Sequence, residues 1–406
     1  MSLLLSTTPT TFTTLMSTDV RPDVCMIAPY PRLGVVHGGT SGVASYTANL
    51  SRALAEAGAK VTVVAPVIRD EPHAGHDGDV RVLRAFRTGP RALPTAGVAA
   101  RATRAPVIHL QHELFLYGGP AALPGLVSAL RPNRGKREMR RVVTMHQVVD
   151  PQTVDSDFVR LHQMRVPRQA ARLAIAGMQR SIESMSDAVI VHEPAFATHV
   201  RNSVAVPHGV ETAAAIDRSS ARTALGLGDE FVALCFGFLA PYKGLETAIE
   251  AARIAGPSVQ LVIAGGEHVR VERRNGYGAA LRSKHSDVAR FTGFVDDEDV
   301  GRWFRAADVV LLPYPAPHAT SGALALAIAY GTPVLATTAM ARTCGLPADT
   351  AFDSAEDLGT KLRAFASDRT LGNALAGGVT GMRAQRTWSA VAQRHLEVYS
   401  GLAAVG

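Results

Sequence analysis

Short β-branched runs alternate along this chain with longer stretches whose apolar residues recur every third or fourth position. The first series runs from about Asp23 to Pro207 through "DVCMIAP", "KVTVVAP", "PVIHLQ", "RVVTMH", "DAVIVHE" and "VAVPHG". The second begins near "EFVALCFGFLAPYKG" and continues through "SVQLVIAGG", "ARFTGFV", "ADVVLLPY" and "TPVLATT". Strands that alternate with helices imply parallel sheets covered by helices on both faces. Between the first two runs, Val43, Tyr46, Leu50, Ala53, Leu54 and Ala57 form one apolar helical stripe, and Gly58 is placed to end it. The pattern predicts an α/β protein of two Rossmann-like domains flanking a cleft. It divides into a disordered tail (1–20), a first domain (21–208), a linker (209–218), a second domain (219–387) and a last helix (388–406) expected to pack back across the junction.

Composition narrows the class without naming a chemistry. With 406 residues, the chain exceeds one compact core and suits two domains. No apolar run approaches the roughly 20 residues a membrane span needs. The Ser/Thr-rich start lacks the basic end of a signal peptide, and Met16 stands as a candidate start. Cys25, Cys235 and Cys344 have no metal-ligand spacing, and two fall in predicted buried strands; a reducing cytoplasm is expected. The net charge of +7 is modest. Its densest basic run, "RPNRGKREMRR" at 131–141, lacks aromatics for stacking bases. That run reads first as a solvated loop and second as a peripheral contact with an anionic membrane, with nucleic acid last.

The glycine turn "GGTSGVASYTANL" raises the first chemical question. Gly39 and Gly42 stand where a helix begins, and free amides at such a place suit an anion. A nicotinamide site needs an acidic residue at the end of the following strand. That strand ends in Val64, Ala65 and Pro66, so a dehydrogenase loses its best support. In the second domain, "GFLAPYKG" sets Lys243 beside Gly237 and Gly244 at a helix start, where an ammonium can meet a diphosphate as a point charge. "PYPAPHATSGALALAIAYGTPV" places Ser321 and Gly322 at a second helix beginning, suited either to an anion or to plain capping.

Taken in order, "GGTSGVASYTANL", "TMHQ", "VPHGV", "GFLAPYKGLETAIEA", "FTGFVDDEDVGRWFRAADVVLLPY" and "GTPVLA" resemble the retaining GT-B glycosyltransferases of the large family four. The resemblance spans about Asp23 to Tyr399, and "QHELFLYGGP" with "TSGALALA" is closest to a subgroup with SG in place of an acidic loop. It implies that His146 contacts the donor sugar beside the reacting carbon as the catalytic histidine. Gly39, Gly42, Lys243, Ser321 and Gly322 would bind the donor phosphates. Glu113, His318 and Thr320 would meet the sugar and ribose, Gly237, Phe294 and Val295 would line the nucleobase pocket, and His112 and Tyr117 would face the acceptor. The substrate would be a UDP- or GDP-linked sugar, with no cofactor and no metal, and the protein a monomer or homodimer. Three positions depart from the family pattern: Phe238 replaces an arginine, and His318 and Leu326 replace a glutamate pair.

Other groups offer weaker chemistry. His109 and His112 lie three apart on a strand and point to opposite faces, a poor pair for one metal. "DSD" at 155–157 reads as a polar loop or helix cap, and "DDED" at 296–299 as an acidic first turn. Two rivals remain. A nucleotide-sugar epimerase of the same fold would draw its acid and base from Glu113, Glu193 or Glu211. A non-catalytic nucleotide-binding relative would explain Phe238, His318 and Leu326.

Overall fold

The computed structural model describes residues 21–35, 42–131, 139–161, 164–267, 276–315, 321–368 and 370–404. The predicted tail, Gly39, His318, Thr320 and most of the basic 131–141 run lie outside them. Two compact units emerge. The first comprises the chain to His192, then Ala197–Val206 and Trp388–Gly406; the second comprises Glu193–Phe196 and Pro207–Thr387.

The first unit is built on eight strands: β1 (Val24–Ile27), β2 (Val61–Pro66), β3 (Ala74–Asp77), β4 (Val80–Phe86), β5 (Val107–His112), β6 (Arg140–Met145), β7 (Ala188–Val191) and β8 (Ser203–Ala205). They lie in the order β3-β4-β2-β1-β5-β6-β7-β8, all parallel except the β3–β4 hairpin. All four residues of β1 are buried, as a central parallel strand covered on both faces requires. Helix Gly42–Glu56 covers β1 and β2 with Val43, Tyr46, Leu50, Ala53 and Leu54. Ala57 falls beyond the helix end and is exposed, so the predicted stripe is one position too long. The last helix, Trp388–Ala404, belongs to this unit and sets Val391, Ala392 and Tyr399 into the same core.

The hairpin was not expected. Its second strand carries Arg81 and Arg84 among its apolar residues, which hid it from a search for β-branched runs. Arg84 is buried for a reason: its guanidinium donates to the carbonyls of Tyr30 and Pro31, pinning the chain just after β1. Glu71 lies 3.4 Å from it as counter-charge.

The second unit holds β9 (Phe231–Phe236), β10 (Val259–Ala264), β11 (Ala289–Gly293), β12 (Val309–Leu312), β13 (Val334–Thr337) and β14 (Ala351–Phe352). Their order is β11-β10-β9-β12-β13-β14, parallel throughout. Side chains of β9 alternate between two cores, Val232 and Leu234 in one, Phe231, Ala233 and Cys235 in the other. In each unit the strand order reverses once, between β1 and β5 and between β9 and β12. Ligands of such sheets bind beyond the carboxyl ends of the strands that flank the reversal.

Candidate functional site

In the second unit, both strands at the reversal run into candidate site residues. β9 runs into Gly237, whose φ of 109° turns the chain. A Cβ added there would stand 3.4 Å from the Lys243 ammonium, so the glycine keeps that approach open. Residues Pro241–Lys243 form a 3-10 turn, and Gly244, at φ 63°, starts helix Leu245–Ala255. Any side chain at Gly244 would drive into the Pro313 carbonyl oxygen. β12 runs into Pro313 and Tyr314.

Lys243 Nζ donates to the Tyr314 hydroxyl at 2.7 Å and stands 4.5 Å from the centre of its ring. Ser321 Oγ lies 3.2 Å from the same hydroxyl and accepts from the Leu324 amide, capping helix Gly322–Tyr330. Lys243 and Ser321, far apart in sequence, therefore meet at one phenol. Burial disfavours the ammonium, but Tyr314, Tyr242 and Cys235 together outweigh it and hold Lys243 above its ordinary value. No carboxylate neutralises it among the described residues. Gly322 leaves open space where a side chain would stand. Together these groups present an excess of hydrogen-bond donors and one unneutralised cation, an environment suited to an anion.

Phe294, just past β11, is 71% exposed, and Val295 packs partly against the core. Phe238 is exposed, and Leu326 packs against the same core. Asp155 accepts from the Phe158 amide as a helix cap, and Asp296 precedes the acidic first turn of helix Asp297–Ala306, as read from the sequence.

In the first unit, Gln111 and His112 end β5, His146 follows β6 and His192 follows β7. His146 Nε2 lies 2.8 Å from the Gln111 side chain, and its Nδ1 lies 3.1 Å from His192 Nε2. His192 Nδ1 faces the Val206 carbonyl at 3.1 Å. A carbonyl only accepts, so His192 carries its proton on Nδ1. The Gln111 side-chain oxygen facing His146 Nε2 likewise only accepts, so His146 carries a proton on Nε2 and donates it there. Tyr46 closes the network from one side, its ring centre 4.7 Å from that of His146.

His109, on the same strand, lies 2.7 Å from both the Thr144 and Tyr399 hydroxyls. Burial holds it well below the usual histidine range. His112 differs: its buried Nδ1 has no hydrogen-bond partner, and burial pushes it down to about 4. Glu113 is half-buried beside it. Tyr117 is buried, with its hydroxyl donating to the Gln111 carbonyl at 3.1 Å. Gly42 opens its helix with no atom near its missing side chain. Gly42, His112 and His146 thus belong to the first unit, and Gly237, Lys243, Ser321 and Gly322 to the second.

The sequence pattern missed Tyr314, Gln111 and His192. Each is a polar-tipped side chain at or just past the carboxyl end of a parallel strand, and that position was the available signal. Among the described residues, no group of three or more His, Cys, Asp or Glu side chains is arranged to hold a metal ion. No described helix is long and apolar enough to cross a membrane.

The two units each match a known domain family. Residues 41–213 match the glycosyl transferase 4-like domain, and residues 230–365 match the glycosyl transferases group 1 model. No curated protein matches the chain. Among solved structures, sucrose-phosphate synthase from Thermosynechococcus elongatus is similar at 22% identity and TM-score 0.69, covering 95% of this chain and 100% of its own. HepE from Anabaena, solved with UDP and glucose, is similar at 16% identity and TM-score 0.60, covering 94% and 100%. The catalytic domain of starch synthase IV from Arabidopsis thaliana, bound to ADP and acarbose, is similar at 14% identity and TM-score 0.60, covering 94% and 99%. The two sheets and the two family matches define a chain of the GT-B glycosyltransferase type.

Proposed function

We propose that the chain moves a hexose or hexosamine from a UDP- or GDP-linked donor to an acceptor hydroxyl, on a glycan, a lipid-linked or a small-molecule acceptor, with retention of configuration. The observation that carries this reading is the cluster of Lys243, Tyr314 and Ser321, a cation without a counter-charge beside a helix beginning. A nucleoside diphosphate supplies the missing charge. As transfer proceeds, the bond from the sugar's anomeric carbon to the phosphate oxygen breaks and a bond to the acceptor oxygen forms. The acceptor's proton passes to the departing phosphate. Lys243 and the amides at Gly322 stabilise the charge that develops there, so the scheme uses no metal.

In the first unit, the Nε2–H of His146 donates to a donor-sugar hydroxyl in exchange for the Gln111 oxygen, one acceptor replacing another. His112 offers its unpartnered nitrogen on the acceptor side. The three cysteines are free and buried, which fits the cytoplasmic location proposed from their scatter. Glu193, a rival acid or base for an epimerase, is buried 3.4 Å from Arg386 in an ion pair, which favours a structural role for it.

A panel of nucleoside diphosphates and their sugars tests the reading by thermal stabilisation. A ligand at 100 times its Kd adds about 2.7 kcal/mol to the folded state. The matching donor is then offered with acceptor hydroxyls, and the product's anomeric configuration is read by NMR. If nothing in the panel stabilises the protein, the assignment fails; if the donor is isomerised without acceptor, the epimerase takes its place.

A further inference from the structure

The hydrogen-bond count around Tyr314 carries one step more, resting on the transferase reading. Lysine only donates, so the bond at 2.7 Å from Lys243 occupies one lone pair of the Tyr314 oxygen. Tyr314 and Ser321 share a single bond at 3.2 Å and own two hydroxyl protons between them. That bond uses one. The Ser321 oxygen also receives the Leu324 amide, so it gains no further proton partner from the cap. The second hydroxyl proton has no acceptor among the described residues, although Tyr314 is 8% exposed and Ser321 5%. Two of the three ammonium protons of Lys243 are likewise unclaimed. Among the described residues, this buried pair of hydroxyls has one proton to spare beside an unneutralised cation, a site that lacks an acceptor.

We propose that Tyr314 determines specificity for a diphosphate: its hydroxyl holds Lys243 in place and, with Ser321, supplies a neutral donor to the distal phosphate oxygens. The ring centre stands 4.5 Å from the ammonium. The oxygen sets its height, and the spare proton adds a contact that a nucleoside or a nucleoside monophosphate does not reach. Its place directly after β12, on a strand at the sheet's reversal, makes that donor rigid rather than borne on a long flexible side chain.

The test is Tyr314→Phe, which keeps the ring and removes only the oxygen. Calorimetric affinities are measured for nucleoside, monophosphate and diphosphate, with UDP and GDP as the probes. The variant should bind the preferred diphosphate about tenfold more weakly, equivalent to about 1.4 kcal/mol. Nucleoside affinity and the unliganded melting temperature should hold. The loss should persist at threefold or more in a Lys243→Ala background, where a tyrosine that merely placed the lysine has nothing left to place. If Tyr314→Phe melts early, Ser321→Gly serves as the second variant, because glycine still tolerates the cap position. It should reduce diphosphate affinity while sparing nucleoside. Wild-type protein that binds no diphosphate defeats the transferase reading itself. Wild-type protein that binds, with Tyr314→Phe within twofold of it or weaker for nucleoside to the same extent, defeats the role of Tyr314 alone.

Discussion

The polar groups at the ends of the two sheets solve opposite problems. In the second unit, Lys243, Tyr314 and Ser321 hold more donors than acceptors, and the cation has no carboxylate partner among the described residues. In the first, His146 has a partner at each ring nitrogen, and His192 and Gln111 pass the bonding on to backbone and strand. One cluster is open and asks for a ligand; the other is closed and holds its members still. On the proposed function, the residues of the open cluster bind by charge and those of the closed cluster act by orientation. Buried polar groups left unsatisfied cost stability, so an open cluster persists where binding recovers the cost.

Acid should break the closed side first and most. His109, His112 and His395 are buried in the first unit, with His112 and His395 pushed down to about 4 and His109 well below its usual range, all by burial. Between about pH 6.5 and 4 the unfolded chain takes up protons that the folded chain refuses. Stability therefore falls as pH falls, by up to about 1.4 kcal/mol per pH unit for each such histidine. Chemical denaturation from pH 7 to 4.5 checks this. A curve flat through that window would mean these rings are not sealed from protons.

The open side should break next, through charge. Lys243→Ala should lower transfer about 10²- to 10³-fold, the scale of losing one preorganised stabiliser of developing charge. Initial rates at saturating acceptor measure it, alongside a melting temperature that stays near the parent. A variant at wild-type rate would detach Lys243 from the leaving group. His146→Ala should cost less, about 10- to 100-fold, since one hydrogen bond to a sugar hydroxyl is lost rather than a charge. A rate unchanged in that variant, with its fold intact, would remove His146 from the donor site.

Much of this was legible from the sequence because local rules agreed there. Every expected parallel strand of the two series appears, from β1 at Val24 to β13 at Val334, since buried central strands carry unbroken β-branched runs. The β3–β4 hairpin escaped because Arg84 is buried to bind backbone carbonyls, a tertiary use that no hydrophobic pattern shows. Gly78 and Asp79, with Gly78 at φ 59°, were the overlooked turn signal. The site divides in the same way. Lys243 and Ser321 stand at helix beginnings and announce themselves. Tyr314, Gln111 and His192 matter only through partners brought from distant strands, and periodicity carries no record of those.

The smallest effect gives the finest test of the closed cluster. His192 touches His146 Nδ1 at 3.1 Å and the Val206 carbonyl at 3.1 Å, so its work is to hold the His146 ring with Nε2 towards Gln111. His192→Phe keeps the bulk beside Tyr46 but leaves His146 Nδ1 without its polar partner. The His146 ring is then less firmly held, and transfer should fall about three- to tenfold, mainly in kcat, with a shifted pH profile. His192→Gln restores a polar amide group beside His146 Nδ1 and should recover most of the rate. If Phe and Gln variants lose activity alike, His192 only fills space, because packing alone does not distinguish an amide from a phenyl ring.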